Sequence, residues 1–166
     1  MKVPSFYMNK INIGCGMDYR EGWINTDISH AVKADVYFDI GKEEIQTVFG
    51  INKEQVPVKE EQFDLVYCSG VLEQILLNEE LIHAMNEMHR VLKKGGVCEI
   101  VVPNAEHAIA FQDPMDVRKF TPKTFAYFID GEREYNLYGK VYGFKPWSSC
   151  EINENSRGIL EVKLIK

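Results

Sequence analysis

The sequence predicts an α/β fold, with three layers built around a mostly parallel sheet. Three observations carry that expectation. Short, nearly continuous apolar runs such as "FDLVYCS" at 63–69 and "VCEIVV" at 97–102 suit strands buried on both faces. An amphipathic stretch lies between those two runs, so strand, helix and strand alternate. Five successive strand candidates end in residues that are polar or carry no side chain, as the tips of an open sheet do where a ligand binds.

The elements follow in order. "KINI" at 10–13 reads as a strand ending at Gly14, "GWINTDI" at 22–28 as a second and "ADVYFDI" at 34–40 as a third. "EEIQTVFGI" at 43–51 reads as a helix of about two turns. The runs at 63–69 and 97–102 are the fourth and fifth strands. The clearest helix runs from Asn78 to Lys94, with Asn78 as N-cap and Glu79 and Glu80 in its positive first turn. Leu81, Met85, Met88 and Leu92 form its apolar stripe, and Gly95 supplies the left-handed stop. The methionines are core fillers on this reading. "TPKTFAYFI" starts a further helix, with Thr121 as N-cap and Pro122 at the first helical position. "EYNLYGKVYGF" and "ILEVKLIK" alternate like two strands of an antiparallel edge hairpin. The links at 14–21 and 29–33 are too short for crossover helices, so the first half should be helix-poor.

The 166 residues suit one domain, 1–166, without repeats or a linker. A net charge of −6 argues against nucleic acid and anionic membranes as partners. The four cysteines form no Cys-x-x-Cys pair, and three lie in strand-like runs, so free thiols in a reducing compartment are expected. No apolar run approaches the ~20 residues of a membrane helix. "MKVPSFYMNK" lacks the apolar stretch of a signal peptide, which makes the cytoplasm the expected location. His30, His83, His89 and His107 have no ligand spacing, so no metal is expected.

The tips read Gly14-Cys15-Gly16, Asp27, Asp39, Cys68-Ser69-Gly70 and Pro103-Asn104. Glycine lets the backbone turn and approach a ligand closely. Asp27 can accept two hydrogen bonds from a ribose diol, and Asp39 one from an exocyclic amine. Together they point to a nucleoside. A dinucleotide fingerprint needs a third glycine, where this chain has Tyr19, and a helix under the pyrophosphate. The ten residues between Gly16 and Asp27 leave no room for that helix. A nucleoside without phosphates fits better, S-adenosylmethionine foremost; NAD(P)-dependent oxidoreduction is disfavoured.

At these residues the chain resembles a class I S-adenosylmethionine-dependent methyltransferase of the small, single-domain branch. "INIGCG", "NTDI", "ADVYFDI", "FDLVYCSGVLEQI" and "MHRVLKKGGVCEIVVPN" resemble its successive motifs, over roughly residues 10 to 130. The resemblance implies a Rossmann-like seven-stranded sheet of order 3-2-1-4-5-7-6 with an antiparallel edge hairpin. It also implies Gly14, Cys15 and Gly16 beside the methionine part of the cofactor, and Asp27 on the ribose hydroxyls. Ile28 would pack on adenine, with Asp39 on its amine and Ile40 under the ring; Ser69 would lie near the methionine end. The chain departs from the family at Gln74 and Asp116, where relatives often carry His, and at Lys94, where Pro is usual.

In methyl transfer the donor carries its own activation, and the protein supplies orientation and, for a protonated acceptor, a base. The candidates are His107, Asp113 and Asp116 in a lid at 104–120, and Glu73 with Gln74 after the fourth strand. Asp116, His107 and Glu73 are the expected catalytic residues. The acceptor is expected to be a small or carrier-bound molecule. The alternative is a non-catalytic subunit that senses or scaffolds by binding the cofactor or its product. An exposed aromatic face on "EYNLYGKVYGF" and the helix-poor half of the sheet point to a homodimer.

Overall fold

A computed structural model describes residues 10–49 and 55–166. The strands are β1 (Lys10–Ile13), β2 (Ile24–Asp27), β3 (Val36–Tyr37), β4 (Thr47–Phe49), β5 (Gln55–Pro57), β6 (Phe63–Ser69), β7 (Leu92–Pro103), β8 (Ser149–Glu154) and β9 (Ile159–Ile165). The α-helices are α1 (Asn78–Val91) and the single turn α2 (Lys140–Tyr142). β4 and β5 pair with each other alone. The other seven strands form one sheet of order β3-β2-β1-β6-β7-β9-β8, parallel except where β9 pairs with β7 and β8. With the β4–β5 pair set aside, this is the expected order with its antiparallel edge.

The register explains the core. Ile11 and Ile13 of β1 sit beside Val66 and Cys68 of β6, which sit beside Cys98 and Ile100 of β7. All six are buried on the face that α1 covers, where Cys98 Sγ lies 3.8 Å from Met88 Sδ. Each aliphatic side chain so buried contributes about 1.5–3 kcal/mol relative to exposure. Met85 and Met88 are indeed core, as the helical stripe requires.

The opposite face of β1 and β2 has no helix among the described residues. Buried Asn12 and Asn25, side by side in register, hold the segment 15–23 there instead. Asn12 Nδ2 donates to the Asp18 carbonyl at 2.8 Å, and Asn25 Oδ1 accepts from Arg20 N–H at 2.8 Å. The Arg20 guanidinium then lies 3.7 Å from the Tyr67 ring centroid, and Trp23 meets Tyr67 edge-on. Side-chain amides thus do what a crossover helix does elsewhere, within the expected helix-poor half.

Four local expectations need correction. The predicted helix at 43–51 is not one: Thr47–Phe49 is strand β4, favoured by its β-branched and aromatic residues, while residues 50 and 51 lie outside the described ones. α1 begins after Leu77, not Asn78, and ends at Val91, because buried Leu92 is claimed by the sheet opposite Phe63. Gly95 has a φ of 74°, but inside β7 rather than as a helix stop. The stretch 134–144 is not a strand: Tyr135–Gly139 is a π-helical turn leading into α2. Tyr138 and Tyr142, one helical turn apart, both stack on Tyr127. The partner of β9 is therefore β8 at 149–154, a strand the sequence reading missed. The turn after Thr121 forms as expected, as a 3₁₀ helix over Pro122–Tyr127 with Thr121 N–H donating to Thr124 Oγ1 at 3.0 Å.

Candidate functional site

The carboxyl ends of β1, β2 and β6 meet at one edge of the molecule. Gly14 leaves β1 with a φ of 65°, and a Cβ there would lie 2.2 Å from Val71 Cγ2. Both the turn and the neighbour demand glycine. Gly16 and Gly70, on the tips of neighbouring strands, also have positive φ, and a Cβ on either would meet nothing within 4 Å. Bare backbone therefore flanks open space above β1 and β6. Half-buried Ser69 ends β6 beside it.

Asp27, at the end of β2, is oriented by this turn. Gly16 N–H donates to its Oδ2 at 2.7 Å and Ser29 N–H to its Oδ1 at 2.8 Å. The residue is only 8% exposed, yet each carboxylate oxygen keeps a lone pair for a further donor. Ile28, the next residue, is 64% exposed. A fixed acceptor pair beside an exposed apolar side chain suits a ribose diol with its base alongside. Cys15 is buried, with Sγ 3.5 Å from the Lys33 carbonyl; burial raises its thiol pKa.

The residues after the third strand make contacts of their own. Asp39 lies beyond the short β3, and its carboxylate already accepts from Gly41 N–H at 2.9 Å and pairs with Lys42 Nζ at 3.1 Å. Lys42 also reaches Glu80 on α1 at 3.3 Å. Ile40 is buried in the core cluster, and its carbonyl faces His83 Nδ1 at 2.9 Å. Of the expected cofactor residues, Gly14, Cys15, Gly16, Asp27, Ile28 and Ser69 lie at the tips of the adjacent strands β1, β2 and β6, while Asp39 and Ile40 lie beyond β3 with the contacts just given.

Glu73 sits in the 3₁₀ turn Leu72–Gln74 that follows the β6 tip. It is 5% exposed, and its Oε2 has no hydrogen-bond partner. Burial, with the charges of Asp116 and Asp113 added, pushes its carboxyl up to about 7. The segment 104–120 closes on itself where Ala105 N–H donates to the Phe120 carbonyl, and Arg118 N–H donates to the Glu73 carbonyl at 2.8 Å. Asp116 is thus brought to Glu73. His107 is not: its Nε2 lies 2.7 Å from Glu154 Oε1, and Glu154 also accepts from buried Asn104. That arrangement anchors the lid to the β8–β9 hairpin. The sequence reading missed Ser29, Val71 and the Asn12–Asn25 pair. An asparagine at the middle of each of two apolar strands was the available signal for the last.

A family model described as a methyltransferase domain matches residues 11–100. The chain belongs to this methyltransferase family. A comparison with curated protein sequences found no match. Among solved structures, an S-adenosylmethionine-dependent methyltransferase from Archaeoglobus fulgidus superposes with a TM-score of 0.61 at 14% identity, covering 99% of this chain and 89% of that one. One from Thermotoga maritima gives 0.57 at 13% identity, covering 96% and 82%. A TehB-like one from Corynebacterium glutamicum gives 0.54 at 14%, covering 96% and 80%. Methyltransferases of this fold use S-adenosylmethionine as methyl donor. The Gly14–Gly16 turn, Asp27 and Ile28 fit that molecule: an oriented carboxylate for the ribose, an apolar side chain for the base, and bare backbone for the methionine. No described helix is long and apolar enough to cross a membrane.

Proposed function

We propose that this chain is an active S-adenosylmethionine-dependent methyltransferase whose acceptor is a small or carrier-bound molecule. The observation that carries the reading is the Asp27 carboxylate, held by Gly16 N–H and Ser29 N–H at the mouth of a glycine-lined turn. The bound donor supplies an electrophilic methyl group on a sulfonium sulfur. The protein's part is then to orient and to exclude water. Asp27 accepts the ribose hydroxyls, Ile28 packs on the base, and Ser69 lies toward the methionine end. Glu73 is the group positioned to hold an acceptor's proton, with a carboxyl that titrates near neutrality and so can both take and release it.

NAD fits this site poorly, because no described helix lies between β1 and β2 to place its N-terminus under a pyrophosphate. Calorimetric titration with S-adenosylmethionine, S-adenosylhomocysteine and NAD tests the reading. Saturable binding of the first two and not the third is expected, weakened at least tenfold in Asp27→Asn. Binding that is equal in the variant and the wild type would contradict it.

A further inference from the structure

We propose that the acceptor is an amine carried on an apolar body, recognised by Glu73 together with Asp113 and Asp116. This rests on the methyltransferase reading and names its substrate class. The first observation is the buried Oε2 of Glu73, which has no donor among the described residues. Backbone N–H groups of Glu73 and Val71 act on the carboxyl, yet Oε2 is left without a partner. A buried polar atom so left is costly, and a bound ligand is one way to satisfy it. The second is the charge around it. Asp113 and Asp116 lie near enough to act on Glu73 through their charge, and none of the three is in an ion pair with a described residue.

The nearby cations do not supply the missing donor. The Arg118 guanidinium donates to the Ile75 and Leu76 carbonyls and to Asn78 Oδ1. Lys119 Nζ donates to the Ala110 and Asp116 carbonyls. Three carboxyls left without a counter-cation, one of them buried, select a ligand that brings both a positive charge and N–H donors. An alcohol brings no charge, and a carboxylate is repelled.

The surroundings specify the rest of the molecule. The lid carries Phe111, Met115 and Val117 exposed by 65%, 64% and 49%, and the turn after Glu73 carries Leu76, exposed by 68%. Four exposed apolar side chains on the segments that hold the carboxyls suit an apolar body behind the amine. The chemistry balances simply. An ammonium N–H would give its proton to Glu73 Oε2, making the carboxylate a carboxylic acid. The freed nitrogen lone pair would then form the N–CH3 bond as the S–CH3 bond breaks, the S–C electron pair staying on sulfur and S-adenosylhomocysteine leaving as the neutral thioether.

The test uses the whole chain saturated with S-adenosylhomocysteine and matched probes. Methylamine through phenethylamine are each titrated against the alcohol of the same skeleton, and phenethylamine also against phenylacetate. At least one amine should bind tenfold or more tightly than its alcohol. That preference should fall below about threefold in Glu73→Gln, which keeps the shape of the side chain but not its charge, and should weaken in Asp116→Asn. If no amine outbinds its alcohol, or the preference survives Glu73→Gln, the amine assignment is wrong while nucleoside binding leaves the methyltransferase reading standing. Failure of S-adenosylhomocysteine itself to bind would overturn both.

Discussion

Glu73→Gln should make the protein more stable above neutral pH and leave it unchanged in acid. The carboxyl is raised from 4.5 in the unfolded chain to about 7 in the folded one, chiefly by burial. A raised acid binds its proton more tightly in the folded state. Its contribution is therefore fully present below pH 4.5 and is lost as pH rises through about 7. At about 1.4 kcal/mol per pH unit, that difference amounts to about 3 kcal/mol at pH 8. For a chain of this size it corresponds to a rise in melting temperature of about 6–12 °C in the glutamine variant. Urea denaturation of both proteins from pH 4 to pH 9 measures it. The two stability profiles should coincide at the acid end and diverge through pH 5–7. Parallel profiles would refute the claim that burial holds the carboxyl at this position well above its ordinary range.

Other substitutions test other parts of the structure. Gly14→Ala should cost about 1–3 kcal/mol and weaken nucleoside binding, since the new methyl would overlap Val71 and the φ is left-handed; adding Val71→Ala should recover the overlap part in a thermal melt. Arg90→Met should cost about 2–4 kcal/mol, because it strands buried Glu87, which Arg90 binds through two 2.7 Å contacts; Glu87→Gln in the same chain should recover most of it. Asp27→Ala should lose more S-adenosylhomocysteine affinity than Asp27→Asn, which still accepts one hydroxyl, and calorimetry orders the two.

Much of the fold was legible because parallel strands advertise themselves. Residues 63–69 and 97–102 are buried on the α1 face and apolar or partly so on the other, and they read correctly as neighbouring strands. The short links around β2 could hold no helix, and they do not. The errors arose where two periods compete. Tyr135, Tyr138 and Tyr142 are spaced 3 and 4, a helical pattern, yet the intervening Leu137 and Val141 mimic strand alternation. What decides is the stacking on Tyr127 and the approach of the Tyr127 carbonyl, which would lie 2.1 Å from a Cβ at Gly139. β8, "SCEINE", exposes most of its residues at the sheet edge and offered little apolar signal.

The site divides in the same way. Gly14, Gly16 and Asp27 were legible because turn glycines and a strand-end acid are local features. His107 was not, since its partner Glu154 lies far along the chain, on a strand that went unrecognised. Asp39 was read from its place at a tip, but only the fold shows Lys42 and Gly41 beside it. Glu73 was identified by position alone; its missing donor is a property of the packed structure.

The most direct test is a crystal structure of the chain with S-adenosylhomocysteine. Both ribose hydroxyls should lie within hydrogen-bond distance of the Asp27 carboxylate, with the base on Ile28 and the sulfur toward Ser69 and Glu73. Nucleoside seated anywhere else, such as the cleft that Leu81 and Ile82 of α1 line with Tyr127, Phe128 and Tyr142, would contradict the assignment of this turn as the cofactor site.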